Sequence, residues 1–418
     1  MDKNKNKTLG NLDTMWKLRY HPERIRHIIN NDPLKIAPVT IHFAPTLECN
    51  HKCYFCTYGK AKQGRETLKM KLEDARDYIR KLHAVGVNGI IFTGGGDPCK
   101  HDDLIYMMEE CSSLGVDFSL NTNGGLLTAE LSKAVLKLNP AYVRVSINAG
   151  SPEIQKLMAG KDDFDEVLEN LKALLINKIA LKSDVNITVA TVVGVINYID
   201  LENLGENILK IENEVKNETK ENPQIDIHIR PIYNHKTSKI YTDAFIEEVK
   251  FVLQKRSKEE AESFIRFIKE NEQTPQVILR EMINTIEKKI LPNFKEKGSS
   301  INVYYPKDKI EALGEVKEKP YNCCRGLYFY GKVWSDGKLY PCVEYAGLEG
   351  FAIGDLNKNT AHEILYSPQS DRKETIDRIN ARLHDCPAVC AYNDINIYLD
   401  KLVKDEEKYT ADKSISFI

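Results

Sequence analysis

At 418 residues, 42% hydrophobic and 29% charged, the chain is long enough for two or three domains and has an ordinary globular composition. Its 59 basic and 61 acidic side chains leave a formal net charge of -2, so no bulk field recommends nucleic acid or an anionic membrane as a partner. No apolar run approaches the roughly 18 residues that span a bilayer, and the polar start MDKNKNKTLGNLD lacks a signal-peptide core, so a cytoplasmic protein is expected.

A short N-terminal segment, 1–36, leads into a stretch of alternating elements over 37–240. The strand-like runs are VTIHFAP (39–45), GIIFTGG (89–95), VDFSLNTNG (116–124), YVRVSIN (142–148), VNITVATVV (185–193) and IDIHIRPIY (225–233). Their length and β-branched content suit buried parallel strands. Amphipathic stretches lie between them, including 72–86, 102–115 and 164–178. In the last, Phe164, Val167, Leu168, Leu171, Leu174 and Leu175 recur at helical spacing. Gly86 and Gly115 stand where a helix C′ glycine belongs. Six β/α units with right-handed crossovers predict an α/β fold, a partial (β/α)6 TIM-like barrel, with an open sheet as the alternative.

Residues 241–294 carry long charged helical patterns without strand signals, so 241–320 reads as a helical insertion or linker, either a solvated connector or a substrate-facing lid. From 321 to 395 the texture becomes a small α+β unit. Its segment YNCCRGLYFYGKVWSDGKLYPCVEYAG pairs two strand-like pieces about Ser335-Asp336-Gly337, a hairpin signal. A charged tail, 396–418, closes the chain.

In a reducing compartment the ten cysteines are better metal ligands or catalytic groups than disulfides. ECNHKCYFCTYG, directly after the first strand, places Cys49, Cys53 and Cys56 in one loop, at the strand ends where barrel chemistry gathers. Zinc sites and iron–sulfur clusters generally take four ligands, so three cysteines leave one position for a small molecule.

This Cys49-x3-Cys53-x2-Cys56 loop, with Phe55 before the third cysteine, resembles the signature of radical S-adenosylmethionine (radical SAM) enzymes. The resemblance implies a [4Fe–4S] cluster on three cysteines, with S-adenosylmethionine on the fourth iron. It also implies cleavage to a 5′-deoxyadenosyl radical that takes hydrogen from substrate. Thr93-Gly94-Gly95-Gly96-Asp97-Pro98 is similar to the family's glycine motif, which usually ends Glu-Pro. Glycines there permit positive φ and close backbone approach to the methionyl ammonium. By the same resemblance Ser146 and Asn148 reach the ribose, Asn123 is a further cofactor contact beside Asn121, and Val193 and Gly194 form an adenine wall. For Ser146 and Asn148 the alternative is hydrogen bonding within the barrel mouth. Cys111 reads as a buried small hydrophobe, and Cys99 as a residue near the active face.

The C-terminal Cys324-x17-Cys342 and Cys386-x3-Cys390 make a four-ligand set, with Cys323 able to substitute for Cys324. The spacing resembles the twitch form of the SPASM extension and implies one auxiliary [4Fe–4S] cluster; a structural zinc site is the alternative. The combination implies an oxidoreductase or lyase acting on a sugar, nucleoside or antibiotic precursor. Alternatives are a SPASM-type peptide maturase and a non-catalytic iron–sulfur protein for electron transfer or assembly. An external one-electron reductant such as flavodoxin or ferredoxin is the expected partner, and His228, Arg230 and Glu344 are the acid–base candidates.

Overall fold

The computed structural model describes residues 17–232 apart from 60 and 195. It also describes positions 258, 259, 262, 266 and 270, the stretch 275–307, and 319–409 apart from 387–389 and 391. After helix α1 (Pro22–Ile29) the chain alternates strands and helices. These are β1 (Thr40–Phe43), α2 (Leu72–Ala84), β2 (Gly89–Phe92), α3 (Leu104–Ser113), β3 (Asp117–Thr122) and α4 (Ala129–Lys137). Next come β4 (Tyr142–Ser146), α5 (Pro152–Ala159), α6 (Phe164–Ala180), β5 (Asn186–Val193), α7 (Leu201–Thr219) and β6 (Ile225–Pro231). All six expected strands therefore exist, each within its apolar run. Gly86 and Gly115 follow α2 and α3 with φ of +89° and +68°, as a C′ glycine requires.

The sheet order is β10 (Gly354–Asp355), β9 (Lys338–Tyr340), β8 (Tyr330–Val333), then β1-β2-β3-β4-β5-β6 and β7 (Asn302–Tyr304), and the eight strands from β8 to β7 run parallel. The partial barrel is thus wider than six strands. β7 (Asn302–Tyr304) lies in the stretch read as helical insertion or linker, and it pairs with β6 from Asp226↔Asn302 to His228↔Tyr304. Ahead of it, α8 (Pro275–Thr285), a π-turn and α9 (Leu291–Glu296) bury Met282, Ile286, Ile290 and Phe294 in the main core. Residues 275–304 therefore form a seventh α/β unit, because their apolar face completes the core beside α7. The connector or lid reading of 241–274 falls outside the described residues, isolated positions excepted.

The hairpin signal is realised as β8 (Tyr330–Val333) and β9 (Lys338–Tyr340), antiparallel about Gly337 at φ +82°. The extension continues through β10 (Gly354–Asp355), α10 (Ala361–Tyr366), α11 (Arg372–Asn380) and α12 (Asn393–Tyr409). The expected tail boundary at 395/396 falls inside α12. Ile395 and Leu399 are fully buried with Leu327, Phe329 and Trp334, so this helix belongs to the extension's core.

Strand alternation decides what faces the barrel interior. Ile41, Phe43, Ile90, Phe92, Val143 and Val145 pack outward against the helices in the main core. Their alternates, including His42, Arg144 and Lys332, point to the inner face.

Candidate active site

The loop after β1 is held at both ends. Met70 N donates to Pro45 O (2.9 Å) and Leu47 N to Leu68 O (2.8 Å). In its middle, His51 Nε2 lies 2.8 Å from Asp163 Oδ2, and Gln155 Nε2 donates to Asp163 Oδ1 (3.0 Å). Burial opposes the Asp163 charge, but the His51 and Gln155 hydrogen bonds outweigh it and push the carboxyl down to about 2. Cys49 Sγ accepts from the His51 backbone N–H (3.4 Å) and from Asn123 Nδ2 (3.7 Å). Burial and the nearby Asp97 charge push its thiol up to about 11 in the absence of a bound metal. Cys53 and Cys56 are half-buried, joined by the Cys56 N–H to Cys53 O bond (3.2 Å). Phe55 packs edge-on against Tyr54, ring centroids 5.3 Å apart.

The glycine run lies directly against this loop. Gly96 N donates to Thr46 O (2.9 Å) and Asp97 N to Glu48 O (2.8 Å). A Cβ on Gly96 would overlap the Glu48 carbonyl, one on Gly95 would overlap Leu47, and one on Gly94 would come within 2.7 Å of Gly96 O. None of the three has positive φ, so the expected left-handed conformation is corrected: close backbone approach alone demands glycine. Asp97 is fully occupied, accepting from Thr122 Oγ1 (2.9 and 3.0 Å), Asn123 N (2.6 Å) and Cys99 N (2.9 Å). It braces the end of β3 to the glycine run. Pro98 is buried beside it and opens a short 3-10 turn.

Asn123 spans to the cysteine loop, donating to Asn50 Oδ1 (2.7 Å) as well as to Cys49. Ser146 ends β4, half-buried. Asn148 Oδ1 accepts from Val192 N (2.9 Å), which ties β4 to β5 and realises the hydrogen bonding weighed as its alternative role. Val193 is buried, and a Cβ on Gly194 would lie 3.1 Å from Tyr54 Oη, so the end of β5 abuts the cysteine loop. Cys99 Sγ contacts Thr122 Oγ1 at 3.4 Å, and Cys111 is wholly buried in the core. His228 and Arg230 share the inner face of β6, His228 half-buried and Arg230 exposed at the strand end.

In the extension, Cys324, Cys342, Cys386 and Cys390 lie within reach of one another's charge. Burial first, then Cys390 and Cys386, pushes Cys324 up to about 12, and burial, then Glu344, then Cys390 and Cys324, raises Cys342. Cys324 Sγ accepts from Asn396 Nδ2 (3.2 Å), and Cys390 Sγ from Tyr392 N (3.5 Å). Cys323 turns aside, its sulfur accepting from Asn380 Nδ2 (3.4 Å) and facing the charges of Arg325, Asp377 and Asp400. Among the described residues no three His, Cys, Asp or Glu side chains are drawn up around a single ion.

Between the two cysteine groups stand Tyr58 and Lys332. Tyr58 feels Glu344, Cys56, Cys342 and Arg230, all secondary to the burial that raises its pKa. Lys332, wholly buried on β8, donates to Gly94 O and lies 4.0 Å from the Tyr58 ring centroid and 5.4 Å from that of Trp334. Lys332, Asn396 and the His51–Asp163 pair escaped the sequence reading. The one local signal was a lysine alternating with aromatic residues in Tyr330-Gly331-Lys332-Val333-Trp334.

Residues 43–206 match the model of the Radical SAM superfamily. They form a radical SAM domain. The chain is 30% identical over 139 residues to a probable GTP 3',8-cyclase of Thermococcus kodakarensis, covering 32% of this chain and 43% of the relative. It is 26% identical over 139 residues to the mycofactocin maturase MftC of Mycolicibacterium smegmatis, covering 32% and 34%. Each match spans less than half the relative's length. In fold the chain resembles Streptococcus suis SuiB bound to the precursor peptide SuiA, with a TM-score of 0.56 and 13% identity over 85% of this chain and 70% of the other. No helix among the described residues is long and apolar enough to cross a membrane.

Proposed function

We propose that the radical SAM domain holds a [4Fe–4S] cluster on Cys49, Cys53 and Cys56 and binds S-adenosylmethionine beside it. The observation that carries this reading is the glycine run packed against the cysteine loop, with backbone contact that any Cβ at Gly95 or Gly96 would break. The N–H groups aimed at Cys49 Sγ suit a metal-bound thiolate. When bound, cluster and cofactor supply a 5′-deoxyadenosyl radical that takes hydrogen from the substrate. The chain's own residues position the reactants: Gly94, Gly95 and Gly96 offer carbonyls to the methionyl ammonium. Ser146 and the free Nδ2 of Asn148 face the ribose, and Val193 and Gly194 wall the adenine beside Phe55.

Cys324, Cys342, Cys386 and Cys390 hold an auxiliary [4Fe–4S] cluster in this reading. Their mutual approach and the N–H donors on Cys324 and Cys390 support it. The enzyme is an oxidoreductase or lyase that draws electrons from a flavodoxin or ferredoxin. Its substrate is a small polar metabolite of the sugar, nucleoside or antibiotic-precursor class, supported by the match to GTP 3',8-cyclases and by the polar inner face. The likeness to the SuiB–SuiA complex and the match to a maturase favour a peptide substrate as the second reading.

The test is anaerobic 5′-deoxyadenosine formation from S-adenosylmethionine under reduction. The wild type should form it and Cys53→Ala should not. Intact clusters without 5′-deoxyadenosine would leave a non-catalytic iron–sulfur protein. Hydrogen transfer to the cofactor from a nucleoside or sugar, and not from a peptide, separates the two substrate classes.

A further inference from the structure

Two inner-face cations, Arg144 and Lys332, make no ion pair among the described residues, although the charge of Glu344 reaches Lys332. Arg144 is central on β4, in register with Asn121 on β3. Its guanidinium carbon lies 5.2 Å from the Tyr142 ring centroid, and its Nε is buried with no hydrogen-bond partner. Opposite it in register, Asn121 Oδ1 is likewise buried and unbonded. Lys332 enters the same interior from β8, in register with His42 on β1, and its Nζ donates to Gly94 O. Among the described residues neither cation makes a salt bridge. On the described strands Asp117 lies exposed at the start of β3 and Asp226 accepts from Asn302 Nδ2 at 2.9 Å, and Glu344 is the carboxylate whose charge reaches Lys332.

A wholly buried ammonium, and an orphaned buried donor in register with an orphaned buried acceptor, are costly unless a ligand satisfies them. The charges of both cations reach His42 on β1, so they face one interior. Lys332 also touches the glycine run and is within reach of Cys56, so this interior adjoins the radical SAM site.

We infer that Arg144 and Lys332 form an oxyanion subsite for the substrate, which therefore carries a carboxylate or phosphate with a hydrogen-bond donor beside it for Asn121 Oδ1. The inference rests on the proposal that the substrate enters the barrel beside the cofactor, and it narrows that substrate to an anionic metabolite. Arg144 supplies a planar fork suited to an oxyanion, and Lys332 a point charge. Burial pushes the Lys332 ammonium down to about 7 against the opposing charges of Cys56 and Glu344, and an arriving anion adds to that counter-charge.

The test is anaerobic calorimetric titration of the reconstituted protein with S-adenosylmethionine present. Ribose 5-phosphate is compared with ribose, and gluconate with glucose. Saturable binding of either anion without its neutral counterpart is expected, and the anion that binds identifies phosphate or carboxylate as the natural group. Lys332→Gln and Arg144→Gln should each weaken that binding by about tenfold or more. Arg144→Lys, which keeps the charge but loses the fork, should weaken it less and guards against a misfolded glutamine variant. Equal affinity for charged and neutral sugars, no saturable binding, or unchanged affinity in Lys332→Gln and Arg144→Lys would overturn the inference. 5′-Deoxyadenosine formed in the same preparations keeps that failure distinct from failure of the radical SAM reading.

Discussion

His51 Nε2 and Asp163 Oδ2 meet at 2.8 Å across 112 residues of sequence, both almost wholly buried. The pair fastens the middle of the cysteine loop, between Cys49 and Cys53, to the turn that starts α6. Lys161 adds a cation at 3.3 Å, and Gln155 occupies the other carboxylate oxygen. Removing one member of such a buried pair leaves the other without its partner. Asp163→Ala should cost about 3 kcal/mol of stability. It should also lower iron retention at the first site, read by denaturant titration and by iron counts after gel filtration. Unchanged iron with lowered stability would make the pair a purely structural clamp.

Asp97 stands where the family more often has Glu, yet its short side chain is matched to its surroundings. Four hydrogen bonds from Thr122, Asn123 and Cys99 converge on its two oxygens, and the residue is 4% exposed. An added methylene has no room there without shifting either β3 or the glycine run. Asp97→Glu, although it restores the commoner residue, should destabilise by about 1–3 kcal/mol. It should also weaken S-adenosylmethionine binding, read by equilibrium dialysis. Wild-type affinity and melting temperature would show that the loop tolerates the longer acid.

Much of this was legible in the chain itself, for definable reasons. Strands β1 to β6 announce themselves because one face packs against the helices, which sets β-branched and aromatic residues along each short run. The inward stripe of α6 follows from 3.6-residue spacing, and the hairpin from Asp336-Gly337. The cysteine and glycine loops stand out because few other chemistries use those residues at those intervals. β7 was missed because Asn302-Val303-Tyr304 is three residues long and largely polar, stabilised by pairing with β6 rather than by its own pattern. α12 follows CPAVC so closely that its charged outer face masked the buried Ile395, Asn396 and Leu399. A lone lysine or arginine in a strand carries no signature of its own, and strand register is what turns Lys332 and Arg144 inward.

The extension separates two adjacent cysteines. Cys324 is buried within reach of the charges of Cys342, Cys386 and Cys390, and Asn396 Nδ2 donates to its sulfur while Asn396 Oδ1 takes the Gly326 N–H at 2.8 Å. Cys323 faces Asn380 and the charges of α11 and α12. Cys323→Ala should therefore keep iron near that of the wild type, about 8 per chain for two cubane clusters, whereas Cys324→Ala should fall to about 4. The reverse pattern would exchange their assignments, and a fall in neither would remove the auxiliary cluster from this site.

His42 gives stability a pH dependence whose sign follows from its burial. Burial, then the charges of Lys332 and Arg144, push its imidazole down to about 3, whereas an unfolded histidine titrates near pH 6.5. Above about pH 6.5 the ring is neutral in both states and its contribution is constant. As pH falls from there towards 3, the unfolded chain takes up a proton that the folded chain refuses. Stability is then lost by up to about 1.4 kcal/mol per pH unit. Burial shifts His21 in the same direction, so part of the loss belongs to that residue. Asp163, held down to about 2, contributes its own loss only below about pH 4. His42→Gln removes the proton-binding group while keeping a polar side chain of similar size. It should flatten the fall in melting temperature between pH 6.5 and 4.5, measured beside the wild type in the same buffers. Parallel curves would show that His42 takes up its proton without unfolding, and that the inner face accommodates a further cation.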